Sequence, residues 1–301
     1  MTSGGEVKGA STFDLTLASA QSGTAKQVAA YPETITLPRG AIAAREYALY
    51  HVESGKIVAQ SDQMDKVPIG STTKLMTALL VSRILKPDDQ IVISKEAANQ
   101  IGSLMNIRQG DTFTVDALLH GLLMVSGNDA AYQFGATAGG VLLGNPDAPI
   151  TDRVARFVQE MNAEAKTLHM DNTQYFDPAG LNDDGHSTAV DLTKVANAVY
   201  TTPQLVRVIN TATITVSNVA GTRSYPLQNS NRMLTEFAYD GEIGGKTGFT
   251  PEAGHCLVSI ASRNGNTYIA VVLNTYDTAA DASARVARDL MNAAFTQVQY
   301  L

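Results

Sequence analysis

Pro68-Ile69-Gly70-Ser71-Thr72-Thr73-Lys74-Leu75-Met76-Thr77 sets a serine and a lysine three residues apart where an apolar run begins. Leu75, Leu79, Ile84 and Leu85, with Ala78 between them, predict a buried helix over residues 72–85, and Lys86-Pro87-Asp88 stops it. Residues i and i+3 share a helix face, about 5–6 Å apart at Cβ, so Lys74 reaches the oxygen of Ser71. A serine hydroxyl is a poor nucleophile until a neighbouring base takes its proton. Lysine is such a base only when its pKa falls well below the reference of about 10.4, which burial beside a second cation brings about. The helix N-terminus works in the same direction, favouring a developing alkoxide over an ammonium. Taken alone, Ser-x-x-Lys is common and equally describes a solvated helix start.

Two further motifs follow in order. Val115, Leu118, Leu119, Leu122 and Leu123 predict a second helix after Thr114, ending at Val125-Ser126-Gly127-Asn128. A hydroxyl at Ser126 can relay a proton, and the Asn128 amide can bond a substrate carbonyl. By itself the triplet also suits an ordinary helix C-cap. Later, Gly244-Gly245-Lys246-Thr247-Gly248 closes a predicted strand. Glycines there let a substrate backbone come close. Lys246 is a candidate for the second cation beside Lys74, and with Thr247 it suits a carboxylate.

Around these motifs the chain alternates in character. Residues 47–52 and 57–59 flank Glu53-Ser54-Gly55-Lys56 and read as a β-hairpin. Helical patterns cover 130–138, 152–168 and 188–200, the last with Thr188 and Asp191 as a capping pair. Segments 213–216, 242–246, 255–262 and 267–275 read as strands, with Asn264-Gly265 as a tight turn between the last two. Residues 277–295 are again helical. The expectation is an α/β (α+β) chain: an antiparallel sheet built from both termini, flanked by helices, with a helical subdomain at roughly 86–200. Residues 1–38, rich in Ser, Thr, Gly and Ala, read as a flexible linker or stalk, and 39–301 as the catalytic domain.

Composition narrows the partners. Twenty-two Lys and Arg against 29 Asp and Glu give a net charge of −7, which lacks the basic footprint of a nucleic-acid or anionic-membrane binder. One cysteine, Cys256, excludes an internal disulfide framework. The five histidines show no metal-ligand spacing, so no metal or other cofactor is expected. His255 beside Cys256 is no dyad, because strand neighbours point to opposite faces; Cys256 reads as a small buried strand residue. His186 reads as a loop residue outside the site. No apolar run reaches the roughly 18 residues of a membrane span.

Taken together, Ser71-Thr72-Thr73-Lys74, Ser126-Gly127-Asn128 and Lys246-Thr247-Gly248, in this order, resemble the penicillin-binding protein and serine β-lactamase group. The sequence is most similar to the low-molecular-mass D-alanyl-D-alanine carboxypeptidases. The likeness includes Asp177-Pro178-Ala179-Gly180-Leu181 and Gly244-Gly245-Lys246-Thr247-Gly248-Phe249-Thr250. It implies a β-lactamase/transpeptidase-like fold and an acyl-enzyme on Ser71, with Lys74 as base and Ser126 passing the proton to the leaving D-alanine. Asn128 would bind the peptide carbonyl, and Lys246, Thr247 and Gly248 the terminal carboxylate side of the cleft. Backbone N–H groups of Ser71 and Phe249 would form the oxyanion hole. Peptidoglycan peptides ending in D-Ala-D-Ala would be substrates and β-lactams covalent inhibitors. The place of work would be extracytoplasmic, with membrane attachment only through a segment missing from this chain.

Two positions depart from the family pattern. Phe249 stands where members often carry His. Many members also have an Arg near the end of the last strand, where this chain reads Asn274-Thr275-Tyr276-Asp277, with no Arg until Arg285. Three alternatives stand beside the carboxypeptidase reading. A D,D-endopeptidase would cut cross-links, and a silent penicillin-binding module would do no chemistry. A class A β-lactamase needs a Glu for deacylation, and its E-x-x-L-N stretch is absent between Asn128 and Lys246.

Overall fold

Leu257 to Ala261, Ser259 excepted, and Tyr268 to Leu273 are apolar on both alternations, a pattern suited to strands covered on both faces. The computed structural model describes residues 34–37, 42–62 and 64–297. There, five antiparallel strands form one sheet: β1 (Ala44–His51), β2 (Lys56–Gln60), β3 (Glu242–Thr250), β4 (Gly254–Arg263) and β5 (Asn266–Thr275). Their spatial order is β2-β1-β5-β4-β3. The first strand of the sheet therefore pairs with its last, β1 with β5, Ala44 opposite Thr275 and His51 opposite Tyr268. The β4–β5 turn has φ of 51° at Asn264 and 79° at Gly265, which suits the twist of a two-residue hairpin loop.

Both faces of the sheet are covered. Val258, Ile260, Ile269, Val271 and Leu273 join one core with helices α1 (Lys74–Ile84), α2 (Val115–Leu123), α3 (Asn128–Leu143), α4 (Ile150–Thr167) and α5 (Ala189–Tyr200). Leu257, Ala261, Tyr268, Ala270 and Val272 pack on the opposite face against α6 (Ala282–Gln297). Strand β3 is thus an edge strand, and its unpaired side faces the N-terminal end of α1. That edge is where the site lies.

Most expected elements form where their periods place them, and Thr188 caps α5 by accepting from Asp191 N–H at 3.2 Å. Four details differ. Helix α3 does not stop at 138, because Gly139 lets the backbone of Arg153 in α4 pack against it. Helix α6 begins at Ala282 rather than 277. Asp277 Oδ1 accepts Ala279 N–H at 2.9 Å and holds that stretch in a turn. The strand at Thr213–Ser217 pairs with Ser224–Gln228 in a separate two-stranded ribbon, a partner the sequence reading did not mark because Pro226 sits in its middle. The linker assigned to 1–38 lies outside the described residues except at 34–37. There Ile35 is buried and its N–H bonds Val58 O at 2.7 Å, so packing begins before residue 38.

Candidate active site

Ser71 sits in a single 3₁₀ turn, Gly70–Thr73, that leads into α1. The edge strand packs flush on this turn. A Cβ on Gly248 would lie 2.8 Å from Ile69 O and 3.1 Å from Thr72 N, and one on Gly70 would lie 3.1 Å from Phe249 N. Gly248 is needed for this protein-to-protein approach. Gly244 and Gly245, expected to admit a substrate backbone, instead lie against Ile209 O and Val258 O.

Lys74 has no exposed surface. Its Nζ lies 2.8 Å from Ser71 Oγ, 2.8 Å from Asn128 Oδ1 and 2.7 Å from Ala179 O. The Asn128 orientation is fixed independently, because its Nδ2 donates to Ile101 O at 2.6 Å. Two of the three partners are therefore pure acceptors and take two N–H bonds. A neutral amine has two hydrogens and one lone pair, which leaves the lone pair for the Ser71 hydroxyl. Burial pulls the ammonium down to about 7, against the opposing pull of Asp177 and Asp129. Lys246 is equally buried, and its Nζ donates to Thr247 O at 2.8 Å. Burial and then the Lys74 charge push its pKa well below the ordinary value. Two desolvated lysines in one site cannot both hold a proton cheaply.

Ser126 stands at the α2–α3 junction with φ of 62°, an unfavourable conformation for a side-chain-bearing residue. Asn128 N–H to Ser103 O at 2.8 Å, and Asp129 accepting from Met105 and Ile107 N–H, tie this junction to the 101–107 segment. A loop closes the other side. Asp177 Oδ1 accepts from Ala179 and Gly180 N–H, both at 2.6 Å, and Oδ2 from Asn182 N–H at 2.7 Å. Thr77 Oγ1 donates to Pro178 O at 2.6 Å, so the loop is stitched to α1 and holds the Ala179 carbonyl on Lys74.

A cavity of about 280 Å³ opens over these groups, lined by Ser71, Ser126, Thr247, Gly248 and Phe249 among the expected residues. Lys74, Lys246 and Asn128 lie beneath it. Phe249 is exposed at the rim, its ring 4.6 Å from His255. No described hydrogen bond joins Ser126 to Ser71 or to either lysine. Cys256 lines the floor, but its Sγ turns to Ala253 O at 3.4 Å and burial raises the thiol to about 12. No thiolate is available near neutral pH. His186 is not the loop residue expected: with Ser187 it forms a two-residue strand paired antiparallel with Val67–Pro68, and its Nδ1 lies 2.8 Å from Asp184 O.

Three contributors escaped the sequence reading. The Ala179 carbonyl is a main-chain acceptor and leaves no residue signature. Ser230, whose Oγ lies 2.7 Å from Thr247 Oγ1, and Arg232, which lines the same cavity, sit in a short polar stretch without periodicity.

A profile described as D-alanyl-D-alanine carboxypeptidase matches residues 31–277. A D-alanyl-D-alanine carboxypeptidase of Bacillus subtilis is 29% identical, with the match covering 85% of this chain and 63% of the relative, so the chain spans less than two thirds of it. A D-alanyl-D-alanine carboxypeptidase of Streptomyces strain K15 is 35% identical over 75% of this chain and 78% of its own length. The solved structure of the Streptomyces K15 DD-transpeptidase superposes with a TM-score of 0.78 at 32% identity, covering 85% of this chain and 98% of that one. A D-alanyl-D-alanine endopeptidase of Pseudomonas aeruginosa is 32% identical over 74% of this chain and 68% of the relative.

Proposed function

Because this chain belongs to the D-alanyl-D-alanine carboxypeptidase family of serine peptidases, we propose that it removes the terminal D-alanine from peptidoglycan stem peptides through an acyl-enzyme on Ser71. The observation that carries this reading is the Lys74 amine, 2.8 Å from Ser71 Oγ with both remaining partners acceptors. Such an amine is a ready base.

In the proposed cycle Lys74 takes the Ser71 proton as Oγ bonds the penultimate D-alanine carbonyl carbon. The carbonyl oxygen becomes an oxyanion between the N–H groups of Ser71 and Phe249. Such donors are worth about 2.7–4 kcal/mol each, and the close approach of Gly70 to Phe249 N supports their pairing. Collapse breaks the C–N bond, and Ser126 passes the proton to the departing D-alanine nitrogen. Water then attacks the ester, releasing the shortened peptide and restoring the serine. Asn128 bonds the peptide carbonyl; Lys246 tunes Lys74, and Thr247 meets the carboxylate.

The same site would be acylated by β-lactams and would release them slowly. Among the described residues lining the cavity there is no Asp or Glu to activate a deacylating water. Peptidoglycan lies outside the cytoplasmic membrane, so the proposed place of work is extracytoplasmic. No helix among the described residues is long and apolar enough to cross a membrane. Residues 39–301 would act as one catalytic unit.

The test is to incubate the protein with monomeric pentapeptide and cross-linked dimer muropeptides and follow products by mass spectrometry. Loss of one alanine from the monomer is the expected result. Dimer cleavage without alanine release would make it an endopeptidase, as the Pseudomonas relative is named. No change in either would overturn the peptidase reading.

A further inference from the structure

A peptide ending in a free carboxylate brings an anion into a cleft whose two lysines are poorly suited to meet it. Lys74 and Lys246 are fully buried, and each lies below its ordinary pKa through burial. The strand-end stretch Asn274–Asp277 offers no cation. Arg285, the next one along, is held by Asp277 and by Asp281 at 3.1 Å and does not line the cavity. Two basic side chains do line it, Arg232 and His255. His255 is occupied, its Nε2 at 3.1 Å from Thr278 O and its ring on Phe249.

We propose that Arg232 is the residue that recognises the substrate's terminal carboxylate, a specificity role that rests on the D,D-peptidase reading above. Its placement is built. Arg232 opens the short helix Arg232–Thr235, two residues after Ser230, whose hydroxyl meets Thr247 Oγ1. Asn231, between them, has no exposed surface. Its Oδ1 accepts Met233 N–H at 3.0 Å and its Nδ2 donates to Glu242 Oε1, on β3, at 2.8 Å. The base of the arginine is thereby fixed relative to the K-T-G strand. The side chain is 36% exposed, and among the described residues its guanidinium gives one bond, Nη1 to Glu236 Oε2 at 3.0 Å. Four of its five N–H donors are left for a ligand. An arginine stays charged at all working pH values and grips a carboxylate through two parallel N–H bonds, which a buried, deprotonating lysine does not. Arg232, Ser230 and Thr247 thus supply a fork and two hydroxyls to the cavity that Ser71 also lines.

The test compares an acylated tripeptide ending in D-Ala-D-Ala with the same peptide as its C-terminal amide, using wild type, Arg232→Gln, Arg232→Lys and His255→Asn. Wild type should prefer the carboxylate. Arg232→Gln should lower kcat/KM for the carboxylate by ~10–100-fold, the range for a lost charge-assisted bond, with little change for the amide. The preference should collapse, return in part with Arg232→Lys, and persist in His255→Asn. Benzylpenicillin labelling of Arg232→Gln to one equivalent would show that its fold and nucleophile are intact. Retention of the wild-type preference by a labelled Arg232→Gln, or its loss in His255→Asn instead, would overturn the proposal. A wild type that neither labels nor releases alanine would sink the peptidase reading itself, and this assignment with it.

Discussion

A lysine with no exposed surface is costly to keep charged unless anions or several acceptors surround it. Lys74 bonds two neutral acceptors directly, while Asp177 and Asp129 offset only part of the burial. Its ammonium therefore gives way near pH 7. The sign follows from the role proposed for it: only the neutral amine has a lone pair for the Ser71 proton, so acylation should rise with pH through about 7 and level off above it. Stopped-flow acylation by a β-lactam between pH 5 and 9 measures this, and a rate that stays flat down to pH 5 would contradict it. Replacing Lys74 by Ala should slow acylation by roughly 10²–10⁴-fold, the usual worth of a positioned base. Ser71, Lys74 and Asn128 were legible in the sequence because the first two are local helix neighbours and the third ends a clear apolar period. The Ala179 carbonyl was not, since any residue type would present one.

The element that matters most to that chemistry is the loop from Asp177 to Asp183. Its placement depends on Gly180, where φ is 78° and an added Cβ would run into Gly70 O and lie 2.7 Å from Thr73 Oγ1. Gly180→Ala should cost about 2–4 kcal/mol, from left-handed strain plus overpacking. It should also slow acylation, because the loop can relieve the clash only by drawing the Ala179 carbonyl off Lys74. Urea unfolding together with the acylation rate would show both effects. A variant of wild-type stability would mean the turn is looser than described. Elements with a strong local signal, such as the β1–β2 hairpin and the Asn264-Gly265 turn, were readable in advance. The start of α6 was not, because Asp277 bonds its own backbone two residues on and competes with the helix. The Ser224–Gln228 strand was hidden by Pro226, which strand patterns exclude from all but edges.

At the scale of the whole molecule, the sheet joins its first strand in sequence to its last, and a buried acid sits near the join. Glu46 on β1 has no exposed surface. Its Oε2 accepts Ala189 N–H at 3.0 Å, while Oε1 has no hydrogen-bond partner among the described residues. Burial raises its pKa to about 7. A carboxyl raised in the folded state holds its proton where the unfolded chain has lost it. Its stabilisation is complete below about pH 4.5 and is lost as pH rises through 7. Between pH 5 and 8 wild type should lose about 2–3 kcal/mol more than Glu46→Gln, at roughly 1.36 kcal/mol per pKa unit. Denaturant unfolding at the two pH values decides it, and parallel losses would remove Glu46 from the account. That the termini would share one sheet was legible from strands at both ends of the sequence. The strand order was not, because pairing β1 with β5 depends on which long-range contacts bury both apolar faces.

The most direct measurement is the intact mass of wild type and Ser71→Ala after incubation with benzylpenicillin. A stable adduct of one equivalent on wild type, absent from the variant, is the expected result and would fix Ser71 as the acylated nucleophile. An unlabelled wild type with intact penicillin, or a variant that labels as well as wild type, would contradict it.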